Sequence, residues 1–337
     1  MKKITAIIVN WNNKNVIGDC IQSLLDQDRN QVDIIVSDNG SEDGSIDFIR
    51  KSFPSIQIVE NCKNLGFGSA VNRGFSIAKG DYLLFLNSDL KLDSKCVGEL
   101  VNTLKGDSSI GGAIPKILYI DQQNKINSLG VLINYTGIAY PNLLGQKDLG
   151  RMEPFESACG GIFMLKREVY ETVGGFDEDL FLYHEDHDLS WRVRLAGWRL
   201  KVAPQAIMHH HYKFNKGILK YYSSEKNRLC ILLKNMEIKT LAIISPALVI
   251  VEFAQWFHAA INGWFLLKIK SYIEILTLLP NILAKRKKQK SLCRVSDKEI
   301  TRIYQGSLSI SGMNNPLLKY FLSPALNTYW KIIRHLI

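Results

Sequence analysis

Between residues 4 and 86, short apolar runs alternate with amphipathic stretches, and that alternation leaves few folds open. Residues 4–9 (ITAIIV) form a β-branched run suited to a buried strand. Val16, Ile17, Cys20, Ile21, Leu24 and Leu25 then recur at helical spacing. Residues 32–37 repeat the strand pattern, 46–53 read as a short helix closed by Pro54, and 57–60 as a third strand. Residues 67–78 follow as a helix stopped by Lys79-Gly80, and 82–86 as a fourth strand. Strands interleaved with helices predict an α/β fold whose mostly parallel sheet is covered on both faces, with ligands at the strands' carboxyl ends.

Beyond residue 92 the pattern loosens. Residues 93–104 read as a helix, 110–165 as short strands and glycine turns, 167–173 and 186–196 as helices, and 199–203 as a strand. From residue 241 the chain turns to long apolar stretches, then to the basic cluster KRKKQK at 285–290. This suggests two parts, an α/β domain over 1–215 (with a change of character near 105) and a helical region over 216–337; 337 residues hold both comfortably.

Charge sharpens the division. From Lys268 onward there are 13 Lys/Arg against three acids, while residues 1–267 carry 29 of each, so the whole net charge of +10 lies in the last fifth. A nucleic-acid-binding fold more often carries its basic face on the main domain, whereas a basic block beside apolar segments suits an anionic membrane surface. The six cysteines are scattered without a Cys-x-x-Cys pair, as in a reducing compartment. The opening MKKITAIIVNW has the lysines of a signal peptide, but its apolar run is short and meets Asn10, so a first strand is expected there.

Polar turns close three of the strands: Asn10-Trp11-Asn12, Asp38-Asn39-Gly40-Ser41 and Asn87-Ser88-Asp89. One such turn alone is more often a helix cap; three converging on one sheet edge favour a site. Gly66-x-Gly68 lacks the third glycine of a dinucleotide fingerprint, since Val71 stands there; a backbone cradle for a diphosphate and plain turn glycines remain the two readings. LYHEDHDLSW (182–191) gathers two histidines and three acids before a helix. Its histidines are three apart rather than the four of a zincin helix, which argues against zinc, and its acids suit either a helix cap or a general base.

Taken together, VNWNN, SDNGSEDGS, NLGFGSAVNRG, LLFLNSDLKL, ACGGIFMLKR, VGGFDEDLFLYHEDHDLSWRVRLAGW and the later HHH resemble family 2 glycosyltransferases of the GT-A fold, and most of all their bacterial rhamnosyltransferase-like branch. The resemblance runs from residue 4 to about 215. It implies an inverting transfer of a sugar, L-rhamnose from dTDP-rhamnose in the first instance, from a nucleotide diphosphate donor to a hydroxyl of a lipid-linked or polysaccharide acceptor. Other hexosyl or N-acetylhexosaminyl transfer from a UDP-sugar is the alternative; a non-catalytic nucleotide-sugar binder and a nucleotidyltransferase are the competitors.

By the same resemblance Asp38 meets the nucleobase, helped by Val9, Asn10, Trp11 and Asn39, while Gly66, Asn72, Asn87 and Ser88 complete the donor side. Asp89 matches the metal-binding end of the family's Asp-x-Asp motif, with Asn87 replacing the first aspartate. Mg²⁺ or Mn²⁺ would then be held by Asp89, diphosphate oxygens and either His209 or His210. Asp186 matches the base that takes the acceptor's proton, Glu185 supports it, and Gly160-Gly161 lie on the acceptor side. Trp191 and Trp198 read as packing residues.

In the C-terminal region, residues 247–267 are apolar apart from Glu252, Gln255, His258, Asn262 and Gly263, and the first four of these fall within roughly 120° of a helix. A free-standing spanning helix rarely keeps a glutamate. The expectation is a membrane-associated cytoplasmic protein, peripheral or monotopic at the inner face of the cell membrane, against the plainer alternative of a packed helical subdomain.

Overall fold

The computed structural model describes residues 3–28, 31–122, 124–211, 217–308 and 315–337. β1 (Ile4–Asn10), β2 (Val32–Asp38), β3 (Gln57–Glu60) and β4 (Tyr82–Asn87) alternate with α1 (Lys14–Leu25), α2 (Ser45–Ser52) and α3 (Phe67–Phe75). Ile17, Cys20, Ile21 and Leu24 of α1 are buried at one helical face, as their spacing requires, and strands β1 and β4 are buried on both faces. β5 (Leu90–Leu92), α4 (Cys96–Lys105), β6 (Ile110–Tyr119), β7 (Ile126–Leu129), β8 (Val131–Ile133) and β9 (Ala139–Pro141) follow. Then come β10 (Phe163–Lys166), α5 (Arg167–Val173), α6 (Glu185–Leu195) and β11 (Arg199–His210).

The main sheet runs β3-β2-β1-β4-β10-β6-β11-β5, with β7 paired to β6. Its first four strands are parallel, as the alternation predicts. Beyond β4 the sheet is mixed: β10 is antiparallel to both neighbours, β6 and β11 are parallel, and β5 is antiparallel to β11. β10 therefore enters from the opposite direction, so the turn before it, Gly160-Gly161, comes from the side of the carboxyl end of β4.

The chain divides into two compact units, Met1–Val131 with Pro141–Val193 and Trp198–Phe214, and Leu132–Tyr140 with Arg194–Gly197 and Asn215–Ile337. Leu132–Tyr140 and Arg194–Gly197, which the sequence reading assigns to the first domain, thus group with the second unit.

In the second unit, α7 (Ile218–Asn235), α8 (Ile238–Ile261) and α9 (Phe265–Leu292) precede α10 (Asp297–Thr301), a π-helical turn at Leu318–Leu322 and α11 (Ser323–Ile333). The apolar stretch 247–267 is not one helix. It breaks at Asn262-Gly263-Trp264, where Gly263 takes a φ of 75° that a helix cannot continue. Glu225 and Arg228 of α7, Glu252 of α8 and Lys268 of α9 form a buried ionic quartet. Lys268 Nζ lies 2.6 Å from Glu225 Oε2 and 2.9 Å from Glu252 Oε2, and Arg228 Nη2 lies 3.0 Å from Glu225 Oε2 and also pairs with Glu252. Burial pushes both glutamates up, and the two cations more than offset it, holding them below the usual carboxylate range.

Candidate active site

Parallel register sets Asn10 beside Asp38 and Val9 beside Asn87, so the three polar turns share one edge of the sheet. Asn10 is buried, and its amide donates to Asp38 Oδ2 at 2.7 Å and Ser45 Oγ at 2.9 Å; the Ser41 N–H donates to Asp38 Oδ1 at 2.8 Å. Asp38 is itself fully buried, with two of a carboxylate's roughly four lone-pair sites filled, so it shapes the loop at 38–41 and keeps acceptor capacity in reserve. Asn39 is also turned inward, donating to the Gly66 carbonyl at 3.2 Å and accepting from Asn61 at 3.2 Å. Val9 is half-buried, while Trp11 is the large exposed side chain of this edge. Ser88 is buried and accepts from Asn13 at 2.9 Å; Asn87 is half-buried at the end of β4.

Gly66 and Asn72, expected on the donor side, both have structural contacts of their own. Gly66 has φ 81° and ψ 174°, a region open only to glycine, and a Cβ there would stand 1.9 Å from the Phe181 carbonyl oxygen. The glycine is needed for this close approach of backbone to backbone. Gly66→Ala is accordingly expected to lower stability by at least about 2 kcal/mol, read as a fall in the denaturation midpoint. Asn72 spends its amide inside the protein as well. It donates to Phe176 O at 3.0 Å and Glu178 Oε1 at 2.9 Å and accepts from Tyr170 Oη at 2.6 Å and the Phe176 N–H at 3.0 Å, fastening α3 to the loop that leads towards α6.

Strand parity separates the two histidine candidates. His209 and His210 face opposite sides of β11. His209 pairs with Asp93 at 3.0 Å, and it is His210 that meets Asp89. His210 is buried, with Nε2 3.2 Å from Asp89 Oδ1 and Nδ1 3.2 Å from Asn127 Oδ1. The Asn127 oxygen only accepts, so with this orientation the ring proton sits on Nδ1, and the Nε2 lone pair faces a carboxylate oxygen. Two acceptors in contact are reconciled by a proton or a cation between them. A carboxylate and an imidazole are donors of the kind a divalent cation accepts, with Asn127 fixing the ring, though among the described residues no group of three or more His, Cys, Asp or Glu is placed to hold a metal ion. Asn127 has no motif around it and is found only once β7 is seen beside β6.

The acidic stretch is held under backbone strain. Tyr183 and His184 both have φ 67°, left-handed conformations that cost about 1–2 kcal/mol each, immediately before α6. That turn puts Glu185 and Asp186 in the helix's first turn. Asp186 accepts from the His187 N–H at 2.7 Å, and the Gly161 N–H favours its ionised form. Gly161 has φ 72° with open space where a Cβ would stand, whereas a Cβ on Gly160 would meet Val131 at 2.8 Å. Burial raises the Asp186 carboxyl to about 6 against the opposing pull of those N–H groups. Glu185 is more deeply buried, one of its oxygens meets no partner among the described residues, and burial with the neighbouring Asp186 pushes it well above the usual carboxylate range.

The remaining residues of the stretch are structural. Asp188 is fully buried and pairs with Arg192 at 2.8 Å, and Arg192 donates to the Val173 and Gly175 carbonyls at 2.7 Å each. His187 is buried, 3.4 Å from His184 ring to ring nitrogen, stacked on the buried Trp191, and lowered to about 3 by burial. It is a neutral packing group at physiological pH. Trp198 is half-buried against Gly111.

A mixed sheet with a carboxylate–imidazole pair at one strand end and a carboxylate at the start of α6 is the architecture of a GT-A-like α/β protein. Solved structures share the fold. One is GalNAc-T7 with UDP, GalNAc and Mn²⁺ (TM-score 0.60, 16% identity, 73% of this chain and 50% of that one). Another is the mannosyltransferase PcManGT from Pyrobaculum calidifontis with GDP-Man and Mn²⁺ (TM-score 0.53, 14% identity, 86% and 85%). The chain belongs to glycosyl transferase family 2, whose model matches residues 5–174; a second model, the N-terminal domain of galactosyltransferase, matches residues 144–216. Its relatives include poly-beta-1,6-N-acetyl-D-glucosamine synthase of Staphylococcus aureus, 27% identical over 213 residues, 61% of this chain and 49% of the synthase. The N-acetylglucosaminyl-diphospho-decaprenol L-rhamnosyltransferase of Mycobacterium tuberculosis is 27% identical over 212 residues, 55% of this chain and 68% of that protein. The chain thus spans about half the length of the synthase.

Proposed function

We propose that the chain moves a sugar from a nucleoside diphosphate donor to an acceptor hydroxyl with inversion. The acceptor oxygen attacks the anomeric carbon as its proton passes to Asp186, and the bond from sugar to diphosphate breaks to release the nucleoside diphosphate. The observation that supports this reading is Asp186 itself, a carboxylate at a helix start that burial raises to about 6, in the same α/β unit as the Asp89–His210 pair 3.2 Å apart. A base with that affinity is ionised at neutral pH and still accepts a proton readily. Asp89 and His210 would hold Mg²⁺ or Mn²⁺, which when bound supplies positive charge to the leaving diphosphate. The nucleobase belongs over the ends of β1 and β2, beside exposed Trp11 and the loop organised by Asp38.

L-rhamnose from dTDP-rhamnose, carried to a lipid-linked acceptor at the inner face of the cell membrane, is the specific form of the proposal. It follows the rhamnosyltransferase relative and the basic, apolar C-terminal unit. The equal identity to an N-acetylglucosamine polymer synthase favours UDP-N-acetylglucosamine as the second reading. Incubation with dTDP-rhamnose, UDP-N-acetylglucosamine or GDP-mannose, Mn²⁺ and a polyprenyl-diphosphate sugar acceptor decides between them. Release of dTDP from dTDP-rhamnose alone is expected; release of UDP alone would replace rhamnose, and pyrophosphate as product would overturn sugar transfer in favour of nucleotidyl transfer.

A further inference from the structure

Helix α8 is built inside out. Its polar residues Glu252, Gln255 and His258 lie on the half that packs within the second unit, where Glu252 joins the ionic quartet. Val249, Ile250, Phe253, Phe257 and Ile261 are 52–72% exposed. At about 100° per residue these five fall on one arc of about 120°, centred opposite the polar stripe. α9 repeats the arrangement: Phe265, Leu266, Ile273, Leu276 and Leu283 are exposed on one arc, while Lys268 and Ser271 are buried on the other side. Apolar faces of this extent, on two successive helices, are unusual on a protein surrounded by water. At the end of α9, Lys287, Lys288 and Lys290 are exposed, which supplies positive charge next to the apolar arc.

We propose that the outer faces of α8 and α9 seat in the interfacial plane of an anionic lipid bilayer, with 285–290 among the headgroups. The proposal deepens the membrane reading above and rests on it. α8 has 24 residues, about 36 Å at ~1.5 Å each, and is long enough to cross. It does not cross alone, because Glu252 sits in its middle with partners on α7 and α9. α7 carries Lys220, Glu225, Lys226, Arg228 and Lys234, so it cannot follow α8 into hydrocarbon. An in-plane seat buries both apolar arcs and leaves the quartet in protein.

The full chain, without donor, is mixed with vesicles of phosphatidylcholine alone or with phosphatidylglycerol and then sedimented. Binding at least about tenfold tighter to the anionic vesicles is expected, and the double variant Phe253→Ser, Phe257→Ser is expected to lose at least about tenfold. Both side chains are exposed, so transfer to a short-chain soluble acceptor should be unchanged. In a Cys62→Ser, Cys293→Ser background, labels at Ala242→Cys and Phe257→Cys report depth by quenching from lipids brominated at different carbons. Equal depths support the in-plane seat; a spanning helix gives a difference of about 22 Å and overturns it. A double variant that binds as tightly as the parent, or a dimer formed through these faces with no vesicle binding, also overturns it. Transfer without vesicle binding sinks this inference alone; vesicle binding without transfer from any donor upholds the seat and sinks the transferase reading.

Discussion

Asp186→Asn is expected to reduce sugar transfer by about 10³-fold while nucleotide-sugar affinity changes little. Asparagine keeps an oxygen for the His187 N–H bond and loses the capacity to take a proton. Burial raises Asp186 to about 6, so parental kcat/KM should rise with pH through that value and level off above it, and the residual activity of the variant should lose this dependence. Stability should move the other way. A carboxyl raised in the folded state binds its proton more tightly there than when unfolded, so its ionisation opposes folding as pH rises from about 4 through 6. Asp186→Asn should therefore hold or raise the Tm at pH 7.5, which separates lost chemistry from lost structure. Glu185→Gln is the matching control: burial and the neighbouring Asp186 push the Glu185 carboxyl well above the usual carboxylate range, which suits it less to serve as an ionised base, and transfer within about tenfold of the parent is expected. A Glu185→Gln variant as inactive as Asp186→Asn would reassign the base.

The second large effect is expected at Asp89. Asp89→Ala removes the carboxylate that faces His210 Nε2 at 3.2 Å, and transfer should fall by about 10²-fold to 10³-fold. The discriminating measurement is calorimetric. Parental affinity for the nucleotide sugar should depend on Mn²⁺ and drop on chelation, whereas the variant's weak affinity should be the same with and without metal. Metal-dependent binding that survives in Asp89→Ala would move the cation elsewhere. Asn127→Ala, which frees the imidazole ring without removing a ligand, should weaken Mn²⁺-dependent binding by about 10-fold to 100-fold.

The parallel half of the fold is legible because its signals are local. Residues 57–60 and 167–173 read from periodicity and stops alone, and β3 and α5 have those bounds. Insertion of β10 between β4 and β6 is not legible in this way, since a strand's neighbours are chosen by contacts distant in sequence, such as Phe163 with Phe85. The same division runs through the site. Asp89 and Asp186 stand out in the sequence as carboxylates at a strand end and a helix start, and the resemblance is what gives each an expected role. The choice between His209 and His210 needs the facing of β11, and Asn127 acts across 83 positions of sequence from a stretch with no motif. Gly66 and Asn72 stand in a motif yet serve the backbone around them, because a glycine or an asparagine suits a tight approach as well as a ligand. In the C-terminal unit, apolar content alone cannot show the break at Gly263, where backbone conformation divides one apolar stretch into two helices.

The ionic quartet of α7, α8 and α9 constrains how this unit can change over generations. Glu225, Arg228, Glu252 and Lys268 sum to zero, and each finds partners on another helix. Losing any one strands an opposite charge away from water, at about 3–5 kcal/mol, so viable descendants must alter these positions in compensated pairs. The outer arcs carry no such bookkeeping and are free to drift among apolar residues. Homologues of the unit should therefore show a covarying inner set and an interchangeable outer one, a pattern of inheritance opposite to that of a water-soluble helical domain.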